Sequence, residues 1–296
     1  MHVLNLCRQV EKFFSERRVT SISDNGLDIL KDTLVTLKNG IKFISPINGR
    51  ILDDDLKGIP DELNLPYPIT IIEFLREPSE IELEYRINNN GDLMTKVIAI
   101  AKQKEKGVIE VTSVRYSDNL KEWVITPFIA ILGTAKYDTN IYNETDISNV
   151  YINNNGYMLT SEYRWLADKV LSDNAAGISV EDMPKSQLHN AIIGVLELIE
   201  MLTCSNVEVV DVPVSKVRRS LSKKGKLPFD EYKILTIKQR NNNSNKKDPI
   251  GTHRSPREHL RRGHIRTYEN GLKIFVSSCV INAGVGGKIT KDYVIK

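Results

Sequence analysis

The chain has 296 residues, of which 41% are hydrophobic and 27% charged, a composition typical of folded globular proteins rather than disordered ones. Its longest apolar runs, such as Val124–Leu132, fall short of the roughly 20 residues that a membrane-spanning helix needs, and its start lacks the basic-then-apolar pattern of a signal peptide. We therefore expect a cytoplasmic protein with no membrane partner. Cys7, Cys204 and Cys279 are far apart and form no CxxC pair, which argues against a zinc ribbon or a disulfide framework.

Charge divides the chain into two parts. Residues 205–296 contain 20 Lys and Arg against 8 Asp and Glu, a net charge of +12, whereas residues 1–204 contain 21 against 30, a net charge of −9. The sequence thus predicts an acidic α+β body over 1–204 and a basic C-terminal module over 205–296. A concentrated positive charge of this kind is typical of surfaces that contact phosphate groups.

The first 70 residues are predicted to be helical and then irregular. The spacing of apolar residues predicts an amphipathic helix over residues 2–16. A potential cap at Ser23–Asn25, followed by four leucines at helical spacing, predicts a second helix through about Leu37. Residues 39–68 are rich in Gly, Pro and Asp, and we expect them to form a loop that carries short extended pieces.

The middle third has the pattern of an antiparallel sheet. The Ile-rich run Pro68–Arg76 suits a strand, and the alternating segment Ile81–Ile87 is followed by an Asn-Asn-Asn-Gly sequence, a hairpin turn signal. The remaining predicted strands are Leu93–Ala101, Val108–Tyr116, Trp123–Gly133, Val150–Ile152 and Tyr157–Thr160. The last two flank an Asn-Asn-Gly turn, so we expect them to form a second hairpin.

Helices return before the basic module, at Glu162–Leu171 and at about Lys185–Leu202. In the module itself the pattern predicts a short basic helix, Val214–Leu221, and several strands. These strands are Val207–Val212, Tyr232–Lys238, Leu272–Ile281 and Ile289–Ile295. The predicted fold class is therefore α+β, with helices packed on an antiparallel sheet and a small basic C-terminal α+β module.

One stretch of the module, residues 253–266, carries three of the five histidines and five arginines. His259 and His264 lie five residues apart, about 140° around a helix, so they cannot form a helical HxxxH zinc site. We expect no metal and no cofactor, and a turn or strand end in place of a helix. Histidine suits general acid–base catalysis, so His259 and His264, together with Arg261 and Arg262, are a candidate catalytic set for metal-independent RNA cleavage.

Two other roles remain open for this stretch: contact with phosphate without cleavage, or bracing of the fold. The candidate RNA-binding residues are Arg254, Arg257, Arg266, Lys223, Lys224 and Lys226. Tyr268 and Phe275 are either base-stacking residues or core residues of the closing hairpin. The sequence contains no Walker, GxSxG or HExxH motif that would indicate another chemistry.

The order of these C-terminal features resembles a known family. A strand at Tyr232–Ile237, a variable loop, His-x-Arg-Arg-Gly-His at His259–His264 and an apolar strand are similar to those of a phage and mobile-element family. That family includes the type V-A anti-CRISPR protein that lowers synthesis of the CRISPR effector nuclease. A weaker similarity covers residues 60–76. Ile265 stands where the family pattern has an aromatic residue, and Arg266 where the anti-CRISPR protein has a further histidine.

The resemblance implies a phage-encoded, anti-defence-like regulator that acts in the cytoplasm of a host cell during host takeover. It implies that the protein recognises a nascent or folded host polypeptide, or a ribosome-associated target, and promotes decay of the corresponding mRNA. The acidic body would then select the polypeptide and the basic module would engage RNA. Two alternatives stay open, namely a metal-independent endoribonuclease and a non-catalytic protein-binding inhibitor.

Overall fold

The computed structural model describes residues 4–16, 24–52, 60, 62–78, 80, 83–84, 93–133, 151–152, 157–160, 183–212, 231–238, 259–261, 263–277 and 279–281. It has an α+β fold, as the sequence predicts. The chain forms two compact units, one made of residues 1–51, 57–200 and 209–234, the other of residues 52–56, 201–208 and 235–296. Residues 209–234, which the charge pattern groups with the basic module, thus belong to the first unit.

Three helices lie where apolar spacing predicts them: α1 (Leu6–Glu16), α2 (Asp24–Asn39) and α3 (Met183–Leu202). The helices predicted at Glu162–Leu171 and Val214–Leu221 lie outside the described residues. The strand predicted at Ile81–Ile87 is wrong where it can be compared, because Leu83 and Glu84 have helical backbone. Within the described residues, no helix is long and apolar enough to cross a membrane.

Within the described ranges, ten strands form the main sheet. They are β1 (Ile41–Ile44), β2 (Ile69–Leu75), β3 (Met94–Glu105), β4 (Val108–Ser117), β5 (Glu122–Ile125), β6 (Ile129–Leu132), β7 (Tyr151–Ile152), β8 (Tyr157–Thr160), β9 (Val207–Asp211) and β10 (Tyr232–Ile237). Their order is β7-β8-β6-β4-β3-β2-β1-β10-β9, with β5 also paired to β4. The antiparallel hairpin predicted around residues 150–160 is confirmed by the pairing of Tyr151 with Leu159.

The main sheet is mixed, because β1 runs parallel to both of its neighbours. Phe43 pairs with Ile72 of β2 on one side and with Lys233 of β10 on the other. Residues 39–68 were predicted to form a loop with only short extended pieces. β1 is four residues long, yet it is an interior strand of the sheet and three of its four residues are buried.

β2 is covered on both faces. Leu6, Cys7 and Val10 on the apolar side of α1 pack in one buried cluster with Ile71 of β2 and with Trp123 of β5. On the other face, Phe74 lies under α3 and the turn at 47–49. Alternation along a strand explains why neighbouring residues of β2 serve two different cores.

A buried carboxylate joins α1, β2 and β10. Glu73 is fully buried, and its carboxylate accepts hydrogen bonds from the backbone N–H groups of Leu6 (2.9 Å) and Cys7 (2.8 Å) and from the hydroxyl of Tyr232 (2.9 Å). The first N–H groups of a helix have no partner within the helix, and the helix dipole favours a negative charge there. Glu73 therefore caps α1 from the centre of the sheet.

A second buried carboxylate anchors the loop after β1. Glu197 of α3 is fully buried and accepts hydrogen bonds from Arg50 Nε (2.6 Å) and from the backbone N–H of Ile51. Asn190 of α3 donates to the carbonyl of Asn48 (3.2 Å). Gly49 has a φ of 71°, and a side chain there would meet Phe74 at 3.2 Å, so the close approach of this loop to β2 requires glycine.

An ion pair links β9 and β10. Lys233 Nζ lies 2.6 Å from Asp211 Oδ1, and the side chain of Lys233 is 20% exposed. This hydrogen bond raises the pKa of Lys233 above its ordinary value, although partial burial opposes the shift. The raised pKa means that the ammonium form is favoured in the folded protein.

Candidate nucleic-acid interface

The described residues of the second unit include four short strands, β11 (His259–Arg261), β12 (His264–Thr267), β13 (Lys273–Val276) and β14 (Cys279–Ile281). β12 pairs with β13, and β11 pairs with β14, in two separate ladders. The pairs His264–Val276 and Arg261–Cys279 belong to one continuous register. The strand predicted at Leu272–Ile281 corresponds to two described strands, Lys273–Val276 and Cys279–Ile281.

Register divides the β12–β13 hairpin into two chemically different faces. Residues directly opposite each other in an antiparallel pair share a face, and so do residues two apart on one strand. One face carries a polar and aromatic column, His264, Arg266 and Tyr268, beside an apolar column, Val276, Ile274 and Leu272. We call this set of six residues the hairpin face.

The turn at the end of the hairpin fixes the position of Tyr268. The backbone N–H of Tyr268 donates to the carbonyl of Leu272 (2.9 Å), and Gly271 N–H donates to the carbonyl of Tyr268 (2.9 Å). Asn270 Oδ1 accepts the N–H of Leu272 (3.1 Å), and Gly271 has a φ of 78°, a conformation that glycine adopts without strain. A three-residue loop with glycine in this conformation is a common hairpin connection.

A cation–aromatic contact lies on the hairpin face. The Arg266 guanidinium carbon is 4.8 Å from the centre of the Tyr268 ring. Both side chains are exposed, Tyr268 to 38%, and Leu272 next to it is 40% exposed. The pair therefore presents a planar cation stacked on an aromatic ring to solvent, an arrangement suited to phosphate and to the flat face of a base.

The hairpin is held in its unit by the residues between α3 and β9. The side-chain amide of Asn206 donates to the carbonyl of Phe275 (2.8 Å) and accepts its N–H (2.8 Å), as a neighbouring strand would do. Ser205 N–H donates to the carbonyl of Lys273 (2.9 Å). Asn206 also accepts the N–H of Lys238 through its own carbonyl (2.8 Å), so one residue ties β13 to the end of β10.

The structure places only part of the predicted site. His259 and Arg261 belong to β11, and His264 and Arg266 to β12. This agrees with the expectation of strand ends in place of a helix. Six of the predicted site residues lie outside the described residues: Arg262, Arg254, Arg257, Lys223, Lys224 and Lys226.

Strand geometry bears on the predicted catalytic pair. His259 and His264 lie in two separate ladders. General acid–base cleavage needs both groups within hydrogen-bonding reach of one phosphodiester. The register places His264 and Arg266 on one surface, and a joint catalytic role of His259 and His264 stays a prediction.

The hairpin turn and the polar column of the site both have signals in the sequence. The Glu-Asn-Gly segment at 269–271 indicates a hairpin turn, and it would have predicted the exposed position of Tyr268. Alternation from His264 to Tyr268 would then have predicted the polar column. Asn206 has no comparable signal, because its role depends on residues about 70 positions later in the chain.

Comparison with family models, with curated proteins and with solved structures found no match to this chain. Within the described part of the chain there is also no group of three or more His, Cys, Asp or Glu side chains arranged to hold a metal ion. The features of this chain that bear on function are therefore the hairpin face and the positive charge of its unit.

Proposed function

We propose that the C-terminal unit binds RNA through the hairpin face. The observation that supports this most directly is the exposed stack of Arg266 on Tyr268, at 4.8 Å, beside His264 on the same strand. The charge of the same unit favours this role: residues 259–281 contain four Lys and Arg against one acidic residue, and residues 235–296 contain 13 Lys and Arg against 4 Asp and Glu, a net charge of +9. Phosphate contacts from such a surface provide sequence-independent affinity.

We further propose that RNA binding serves regulation. In this proposal the protein is an anti-defence-like regulator of phage origin that lowers the expression of a host target in the cytoplasm. The acidic body selects a nascent or folded polypeptide, and the C-terminal unit engages the message and promotes its decay. The resemblance of the His-x-Arg-Arg-Gly-His segment to the anti-CRISPR family supports this part, and the charge division at about residue 204 is consistent with two tasks.

RNA binding is tested with a fluorescently labelled single-stranded RNA in EDTA, titrated with the full chain at several salt concentrations. For Arg266→Gln, the slope of log affinity against log salt concentration should fall by about 0.7, the contribution of one phosphate contact to a single strand. Lys31→Gln is the matched control, because Lys31 is 72% exposed on α2 in the other unit. No binding by the wild-type protein, or equal slopes for all three proteins, would count against the proposal.

The same assay separates binding from cleavage. Loss of intact RNA in EDTA that His264→Ala abolishes would establish the alternative, a metal-independent endoribonuclease. Binding without cleavage supports the regulator. Absence of both, together with a lower melting temperature of His264→Ala, would favour the non-catalytic protein-binding inhibitor, in which the His/Arg stretch braces the fold.

A further inference from the structure

We infer that the hairpin face is a site for an unpaired nucleotide, so that the C-terminal unit prefers single-stranded over double-stranded RNA. This inference rests on the proposed function and names its substrate class. Phosphate contacts alone do not distinguish strongly between the two forms of RNA, because both expose the backbone. The distinction must come from groups that contact bases.

The two columns of the hairpin face match the two surfaces of an unpaired nucleotide. A base is flat and largely apolar on its faces, and its sugar carries a negative phosphate. The hairpin face offers a ring and an apolar edge, Tyr268 and Leu272, next to a cation, Arg266. Aromatic rings that stack on bases are the usual contact of proteins that bind single strands with little sequence preference.

The stack is already assembled before RNA arrives. Arg266 covers one side of the Tyr268 ring at 4.8 Å, and the hydrogen bonds of Tyr268 with Leu272 and Gly271 hold the backbone in place. A base that stacks on the exposed part of the ring extends an existing stack and orders few additional groups. Preorganisation of this kind lowers the entropic cost of binding.

An RNA duplex cannot use this contact. Its bases are paired and stacked on each other, and the deep major groove of the A-form helix excludes side chains. Only the positive charges of the unit would then act on a duplex. Removal of the ring should therefore weaken binding to a single strand and leave binding to a duplex unchanged.

The test compares a labelled ten-nucleotide oligouridylate with a ten-base-pair RNA duplex, in EDTA, by fluorescence anisotropy with the full chain. Wild-type protein should bind the single strand more tightly. Tyr268→Leu should lower that affinity about tenfold, from the free energy of stacking one base, and leave duplex affinity within twofold. Tyr268→Phe keeps the ring and should retain the preference. The matched charge control is Lys273→Gln. Lys273 lies opposite Thr267 on the other face of the hairpin, and its replacement should weaken the binding of both RNAs equally.

Any one of four outcomes overturns the inference. Equal affinity of the wild-type protein for both RNAs, or an equal effect of Tyr268→Leu on both, leaves RNA binding in place and removes the base-stacking site. A Tyr268→Leu protein that binds both RNAs like the wild type does the same. No binding of either RNA removes the proposed function as well. Circular dichroism and melting temperatures of each variant verify that the hairpin variants remain folded.

Discussion

Replacement of Glu73 by glutamine should destabilise the first unit by about 2–4 kcal/mol, although the two side chains have nearly the same shape. The wild-type carboxylate accepts three hydrogen bonds and is fully buried. In the best orientation of the glutamine, its oxygen still faces Cys7 N–H and the Tyr232 hydroxyl. Its NH₂ group then faces Leu6 N–H, and two donors meet without an acceptor.

The magnitude follows from these contacts. A buried N–H that loses its acceptor costs about 1–3 kcal/mol, and the two remaining hydrogen bonds lose the share of their strength that comes from the charge, about 1 kcal/mol together. Loss of the interaction with the helix dipole adds up to about 1 kcal/mol. The glutamine avoids the cost of burying a charge, which offsets part of the loss. A domain is stable by only about 5–15 kcal/mol, so the effect is readily measured.

Urea unfolding followed by tryptophan fluorescence is a suitable assay, because Trp123 is 5% exposed in the cluster that contains the start of α1. Glu11→Gln is the matched control: it lies on the same helix, its ion pair with Arg8 is partly exposed, and it should change stability by less than about 0.5 kcal/mol. Tyr232→Phe should cost about 1–2 kcal/mol. The double variant should cost less than the sum of the two single variants by about 0.5 kcal/mol, because Glu73→Gln has already weakened the hydrogen bond that Tyr232→Phe removes. Additive effects, or a Glu73→Gln protein as stable as the wild type, would refute this account of the capping carboxylate.

Three further predictions concern the other polar contacts. Glu197→Gln should lower the urea midpoint through a loss of about 2–3 kcal/mol, because Arg50 and the N–H of Ile51 lose a buried charged acceptor, and an unchanged midpoint would contradict this role. Asn206→Asp should speed amide hydrogen exchange in β13 several-fold, because a carboxylate cannot donate to the carbonyl of Phe275. Exchange at the wild-type rate would show that the Asn206 side chain is not needed to hold β13. Asp211→Asn should lower the melting temperature slightly, and by an amount that depends on pH. The pKa of Lys233 is raised in the folded protein. The stabilisation that its ion pair with Asp211 provides is therefore complete below the ordinary lysine pKa of about 10.4, and it is lost as the pH rises through the pKa of the folded state. The difference between variant and wild type should be constant from pH 7 to 9 and shrink above about pH 10.5, and a difference that grows with pH would show the sign to be wrong.

Local patterns predicted α1, α2, α3 and most of the described antiparallel strands, because those elements bury a regular face. β2 and α3 were found from runs of apolar residues. β1 was missed as an interior strand, because Ile41–Ile44 is short and its partners lie far away in the chain. No local signal encodes a parallel pairing with β10.

The positions of the two buried carboxylates can be recognised in the sequence. Glu73 is the one charged residue in Ile69–Leu75, and Glu197 interrupts the apolar stripe of α3. A charge is costly in such a place unless donors surround it, so an isolated acidic residue in a core segment predicts a polar contact. The identity of the donors depends on tertiary structure and could not be predicted.

The position of β1 between β2 and β10 has a consequence for synthesis of the protein. Tyr232 follows Glu73 by 159 residues, and at about 5–20 residues per second a ribosome needs roughly 8–30 s to make that interval. During this time β2 and α1 can assemble, while the edge of β1 that later pairs with β10 stays unpaired. An unpaired strand edge can pair with other chains, and short strands with an inward lysine resist such pairing. β1 has four residues and a buried Lys42, features that would protect the growing chain until β10 emerges and the Tyr232 hydroxyl reaches Glu73.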